Sequence, residues 1–176
     1  MKIAVCGQSL PHFNKELLKK SYEIGKEIAN KGHTLRFGGC HGYPYEAAKG
    51  AFESNGKAIA VSPAKNNQEH IEKYKFPTDK ISDFEFTGLG IPGRNVPLVA
   101  ESDAVIIISG QIGTLNEFTL AYQQKKIIGV LEGSGGIAGI AKDIVRICRK
   151  AGEEDSVFYD AVPEELVIKL GGAQHQ

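Results

Sequence analysis

The chain has 176 residues, 41% of them hydrophobic, and its 21 Lys and Arg are balanced by 21 Asp and Glu. That length corresponds to one domain, able to bury about 70% of its unfolded surface without a metal or disulfide staple. Balanced charge argues against nucleic acid or an anionic membrane as the main partner. No apolar run reaches membrane-spanning length, and the odd set Cys6, Cys40 and Cys148 fits neither a disulfide framework nor a zinc site, so a cytoplasmic globular protein without a metal is expected.

Lys2 to Cys6 is short, apolar and β-branched and stops at Gly7-Gln8-Ser9, which predicts a buried strand and a tight turn. A helix follows, capped by Asn14, with Phe13 and Leu18 as a hydrophobic staple and an apolar stripe from Leu17 to Ala29. Gly32 ends it. His33 to Phe37 reads as a strand broken by Gly38-Gly39-Cys40-His41-Gly42, and Pro44 opens a second helix running to Asn55-Gly56. Lys57 to Val61 is a third strand, and the polar stretch 64–82 reads as a surface loop or a lid. Phe84 to Phe86 is a short strand, and Arg94 to Ser102 a helix with Pro97 in its first turn. Ala104 to Ser109 is the most apolar strand and is expected at the centre. A helix from about Thr114 to Lys125, a strand from Ile127 to Leu131, and a helix from Gly133–Gly136 to near Lys150 follow. Val157 to Asp160 and Pro163 to Leu170 complete the pattern. Alternating strands and helices predict one Rossmann-like α/β domain over residues 1–170, doubly wound on a mainly parallel sheet, with 171–176 as a flexible tail.

In such a sheet ligands sit beyond the carboxyl ends of the strands, where the strand order reverses. Four of these ends carry glycine: Gly7, Gly38–Gly39, Gly110–Gly113 and Gly133–Gly136. Glycine admits an anion to backbone amides at a helix start, and it also serves any tight strand-to-helix turn. Neither GxxxxGK[ST] nor GxGxxG is present, which argues against a P-loop nucleotidase and against the usual dinucleotide mode. The most informative stretch is Gly93-Arg94-Asn95, then Asp103, then Gly110 to Glu117. Near a helix start, Thr114 and the free amides form an anion seat, and the helix dipole is expected to keep Glu117 ionised.

The stretch Ser109-Gly110-Gln111-Ile112-Gly113-Thr114-Leu115-Asn116-Glu117 resembles the PGGxGTxxE hallmark of the LOG ("Lonely guy") superfamily, formerly described as lysine decarboxylase-like. Arg94 stands 23 positions before Glu117, the spacing of that family. Gly38 to Gly42 with Glu46-Ala47-Ala48 and Ser62-Pro63 resembles its other glycine-rich turn, and the likeness spans Lys2 to about Val130. The Arg94-Asn95 pair is closer to the branch with molybdenum-cofactor carrier proteins, since the hydrolase branch has Arg-Lys. Ser109 replaces the hallmark proline, and Gln111 replaces its second glycine.

The resemblance implies hydrolysis of the N-glycosidic bond of a nucleoside 5′-monophosphate, releasing base and ribose 5-phosphate. Gly110, Gly113 and Thr114 would hold the phosphate, Glu117 and Arg94 would be catalytic, and Gly7, Ser9, Gly38, Gly39, Gly42, Asn95 and Gln111 would shape the site. The alternative is a carrier that holds a nucleotide or a molybdenum-cofactor-type ligand in the same crevice without cleaving it. Assembly as a homodimer or larger homo-oligomer is implied, with Val96, Leu98, Val99, Phe118 and Tyr122 as surplus apolar residues. No resident cofactor is expected. Cys6 is expected to pack in the core, His12, His70 and His175 to face solvent, and Tyr43 and Tyr45 to stack on a base or pack.

Overall fold

A computed structural model describes residues 1–9, 14–149 and 156–173. The staple residue Phe13, with His12 and His175, lies outside them.

The strands are β1 (Lys2–Gly7), β2 (Thr34–Phe37), β3 (Lys57–Ser62), β4 (Asp83–Phe86), β5 (Ala104–Ile108), β6 (Ile127–Leu131) and β7 (Val157–Asp160). The helices are α1 (Lys15–Asn30), α2 (Tyr43–Glu53), α3 (Asn67–Glu72), α4 (Gly90–Ala100), α5 (Ile112–Gln123), α6 (Gly136–Cys148) and α7 (Pro163–Ala173). All strand pairs are parallel, in the order β4-β3-β2-β1-β5-β6-β7. The chain winds outward from β1 to β4 and returns to lay β5 against β1. The reversal point, and hence the crevice, therefore lies beyond Gly7 and Ile108, which pair with one another.

Both faces of the sheet are covered, which explains strands without a wetted side. Ile3, Val5, Leu35, Phe37 and Ile106 pack under α1, α2 and α7. Ala4, Cys6, Val105, Ile107 and Val130 pack under α4, α5 and α6. Asn14 caps α1 by accepting from Glu16 N at 2.8 Å and Leu17 N at 3.3 Å, worth about 1 kcal/mol. A Cβ on Gly25 would overlap the Ala47 carbonyl, and one on Gly50 the Tyr22 carbonyl, so α1 and α2 touch backbone to backbone.

Several expectations change. Helix α4 begins at Gly90, and Pro97 is its eighth residue rather than part of its first turn. Pro97 has no N–H, so the Gly93 carbonyl loses its helical donor. Arg36, fully buried on β2, secures the far end of this helix. Its Nη1 donates to Pro97 O at 3.3 Å and Leu98 O at 3.4 Å, and its Nη2 pairs with Glu101 at 3.0 Å and with Glu85. The polar stretch after β3 contains α3 and is pinned from inside by His70, which is fully buried rather than solvent-facing. Its Nε2 lies 3.0 Å from Pro77 O and its Nδ1 2.8 Å from Ser62 Oγ. A carbonyl only accepts, so the proton is on Nε2 and Ser62 donates to Nδ1. The last helix continues through Gly171 and Gly172 to Ala173, past the expected boundary at Leu170.

Candidate functional site

A cleft of about 560 Å³ opens at the reversal point, within the range of small-molecule sites. The β1 end supplies Cys6, Gly7, Gln8 and Ser9, the β2 end Gly38 and Cys40, α4 Arg94 and Asn95, and α5 Gln111, Gly113, Thr114, Asn116 and Glu117. Val5, Pro44, Ile91, Pro92, Val96, Ile112 and Leu120 make the rest of the wall apolar. Arg94 and Glu117 are the only charged lining residues among those described.

These two meet. Arg94 Nη1 donates to Glu117 Oε1 at 3.0 Å, with the side chains 5% and 8% exposed. A Cβ on Gly38 would overlap Cζ and both terminal nitrogens of Arg94, so glycine is required there for the guanidinium to lie against the β2 end. The Arg94 Nε is buried without a partner among the described residues. Glu117 is the sixth residue of α5, deeper than a first-turn position. Burial pushes its carboxyl above the ordinary range, while Arg94 and the hydrogen bond from the Cys6 thiol pull it partly back. The shift runs opposite to the one a helix dipole alone produces, because the cost of burial outweighs the pull of the partners. Cys6 is buried as expected, and its thiol is held well above the ordinary range by burial first and the Glu117 charge next. Burial likewise raises Cys40 at the opposite wall, with the Arg94 charge opposing it.

The α5 start remains open. Its first intrahelical bond is Leu115 N to Gln111 O at 2.9 Å, and the Gln111 side chain caps nothing. The amides of Ile112, Gly113 and Thr114 find no acceptor among the described residues, and nothing lies within 4 Å of a Cβ built on Gly113. Thr114 folds back over Gly110, which excludes a side chain at Gly110. Three amides at a helix start bordering an otherwise neutral cleft make a seat for one anionic group.

The fourth glycine turn does different work. Ile137 N donates to Gly110 O at 3.0 Å and Ala138 N to Ser109 O at 3.2 Å, so the α6 amides are occupied by the neighbouring turn. A Cβ on Gly136 would overlap Gly110 O. Gly133–Gly136 therefore braces the α5 entry from behind and does not line the cleft.

Of the residues expected at the site, Gly7, Ser9, Gly38, Arg94, Asn95, Gln111, Gly113, Thr114 and Glu117 line the cleft. Gly39, Gly42 and Gly110 do not: Gly39 faces the His70 ring, Gly42 backs onto Gln8 and Ser9, and Gly110 lies under Thr114. Asp103 is at the opposite end of β5, accepting from Lys2 N at 2.7 Å. Tyr43 and Tyr45 are buried away from the cleft, the Tyr45 hydroxyl donating to Asp79 at 2.7 Å. No residue of 64–82 lines it. Gln8, Cys40 and Asn116 were not singled out from sequence; only the strand-end position of the first two signals them.

Residues 1–167 match the SLOG cluster4 family. The chain belongs to that family. An uncharacterised protein of Archaeoglobus fulgidus is 32% identical over 144 residues, covering 80% of this chain and 85% of that one. Among solved structures, the molybdenum cofactor carrier protein MCP from Chlamydomonas reinhardtii is 26% identical with a TM-score of 0.81, over 99% of each chain. The molybdenum cofactor binding protein of the phototrophic bacterium Rippkaea orientalis is 26% identical with a TM-score of 0.79, over 99% of this chain and 97% of that one.

Within the LOG-like hallmark this family member has its own turn geometry. Ser109 has φ +54°, which proline, fixed near −65°, does not reach. Its N–H donates to Ser134 Oγ at 2.8 Å, a bond proline also forbids. The serine therefore sets a path into α5 that a proline at this position could not follow.

Proposed function

We propose that this protein is a cytoplasmic carrier that binds a small phosphorylated heterocycle, a nucleotide or a molybdenum-cofactor-type ligand, and does not cleave it. The observation that carries this reading is the closed Arg94–Glu117 pair: the cleft's two charges neutralise each other, and the carboxylate is already engaged by Arg94 and the Cys6 thiol. A general base needs a free lone pair within reach of water, and Arg94 and the Cys6 thiol compete with water for those of this group. The likeness to molybdenum cofactor carrier and binding proteins supports the same reading. The phosphate would rest on the Ile112, Gly113 and Thr114 amides, and the ring would lie on the apolar wall.

Phosphoribohydrolase activity is the second reading, favoured by Arg94 and Glu117 opening on one cleft at hallmark spacing. Incubation of the pure protein with nucleoside monophosphates, followed by separation of free base and by equilibrium binding, decides between them. Saturable binding without base is the expected result; base release that depends on Glu117 establishes the hydrolase instead.

Association as a homodimer is part of the proposal, at the same two helices as first expected but with Val96 kept from the first set of residues and the others replaced. Leu98, Val99 and Phe118 are consumed by the monomer core, whereas Leu89, Ile91, Val96 and Ile112 leave 59%, 50%, 50% and 80% of their surface exposed around the mouth. Sedimentation of the pure protein tests this: a strictly monomeric species removes it.

A further inference from the structure

Asn95 on α4 and Asn116 on α5 both line the cleft, and Asn95 Nδ2 donates to Asn116 Oδ1 at 2.8 Å. Two carboxamides facing each other can exchange two hydrogen bonds, and this pair makes one. Asn95 Oδ1 and the Asn116 amino group thus remain without a partner among the described residues, although Asn95 is only 3% exposed. The bond between the side chains fixes which atom each offers: an acceptor from α4 beside a donor from α5.

Asn116 follows Ile112 by four positions and Gly113 by three, so it lies on the face of α5 that begins with the open amides. A ligand with its phosphate on those amides would place its ring one helical turn deeper, against the apolar wall and within reach of this pair. From these facts we infer that Asn95 and Asn116 together read the edge of the bound heterocycle, and that the ligand carries a hydrogen-bond donor and an acceptor on adjacent ring positions. An oxo or amino group beside a ring nitrogen, as in a purine base or a 4-oxopterin, has that edge. A bare sugar phosphate does not. The inference rests on the carrier reading above and names the feature of the ligand that this cleft selects.

N-methylation of the ring nitrogen at that edge blocks both contacts while leaving phosphate, size and stacking nearly intact. Equilibrium binding is measured for GMP against 1-methyl-GMP, and for a 6-substituted pterin phosphate against its N3-methyl form, on the full chain and on Asn116→Leu. Asn116 is exposed on a helix surface, so the variant is expected to fold, and a matching melting curve verifies it. Methylation should weaken binding at least about tenfold in the wild type, the scale of one paired edge contact. In Asn116→Leu the penalty should be clearly smaller than in the wild type, because one of the two edge contacts is already lost. The arm that binds identifies the source of the ring. Binding with no methylation penalty, or with the same penalty in both proteins, overturns the edge-reading pair and leaves the carrier reading standing. No binding in either arm overturns both.

Discussion

Gly38→Ala perturbs the centre of the site without removing a polar group. Gly38 has no positive φ, so alanine brings no backbone strain, and its only effect is the collision of the new methyl with the Arg94 guanidinium. Restoring carbon contacts of about 3.5–4.0 Å requires the guanidinium to shift by roughly 1 Å. A shift of that size lengthens the 3.0 Å bond to Glu117 beyond hydrogen-bonding range. Breaking a buried ion pair costs about 3–5 kcal/mol, and the lower end applies here because the displaced guanidinium can reach water in the cleft. For a chain of this size about 3 kcal/mol lowers the melting temperature by roughly 6–12 °C. Equilibrium unfolding in urea with thermal melting measures it. A Gly38→Ala protein within about 0.5 kcal/mol of wild type would refute the reasoning, since the guanidinium would then have room that the structure denies it.

Gly113→Ala makes the opposite prediction: with no atom within 4 Å of the new Cβ and a helical position, it should hold or raise stability by about 0.4–1 kcal/mol yet weaken binding of a phosphorylated ligand by obstructing the amide seat. Melting curves and titration with a nucleoside monophosphate check both halves, and unchanged affinity contradicts the seat. Ser109→Pro should destabilise the fold by about 3 kcal/mol or more, because proline cannot take φ +54° and removes the bond to Ser134; a melting temperature equal to wild type would show that the turn readily adopts another path. Glu117→Gln puts a neutral amide, whose oxygen can still accept from Arg94, where burial already disfavours the charge of the carboxyl. The folded Glu117 carboxyl sits above its unfolded value, so between the two the native state binds the extra proton, and this group's contribution grows as pH falls through the folded value. Glu117→Gln removes that slope. Unfolding free energies from about pH 4 to 8 for both proteins measure it, and superimposable profiles would contradict it.

The strands themselves were readable because each is an apolar run stopped by glycine or a polar turn, and a doubly wound sheet follows from their alternation with helices. Helix α4 was placed four residues late because Gly90, Pro92, Gly93 and Pro97 all oppose helix locally. What holds its C-terminal end is Arg36 on a distant strand, a contact that no local pattern reports. His70 was misplaced for the same reason: its polar neighbours suggest solvent, whereas Phe76, Phe84 and Phe86 surround its ring. At the site, the spacing of Arg94 and Glu117 located the pair, whereas helix-dipole reasoning left out the burial that raises the carboxyl, which arises from β1 and α4. The Gly133–Gly136 turn resembled a further anion seat, yet its amides are spent on Ser109 and Gly110 carbonyls 27 to 29 positions earlier.

The most direct test of the account is the pattern of backbone amide shifts in a ¹⁵N NMR titration with a nucleoside monophosphate or a pterin phosphate. The account predicts saturable shifts that are largest at Ile112, Gly113 and Thr114, with the ligand intact at the end of the titration. Saturable binding that leaves those three amides unmoved and shifts another surface would contradict it.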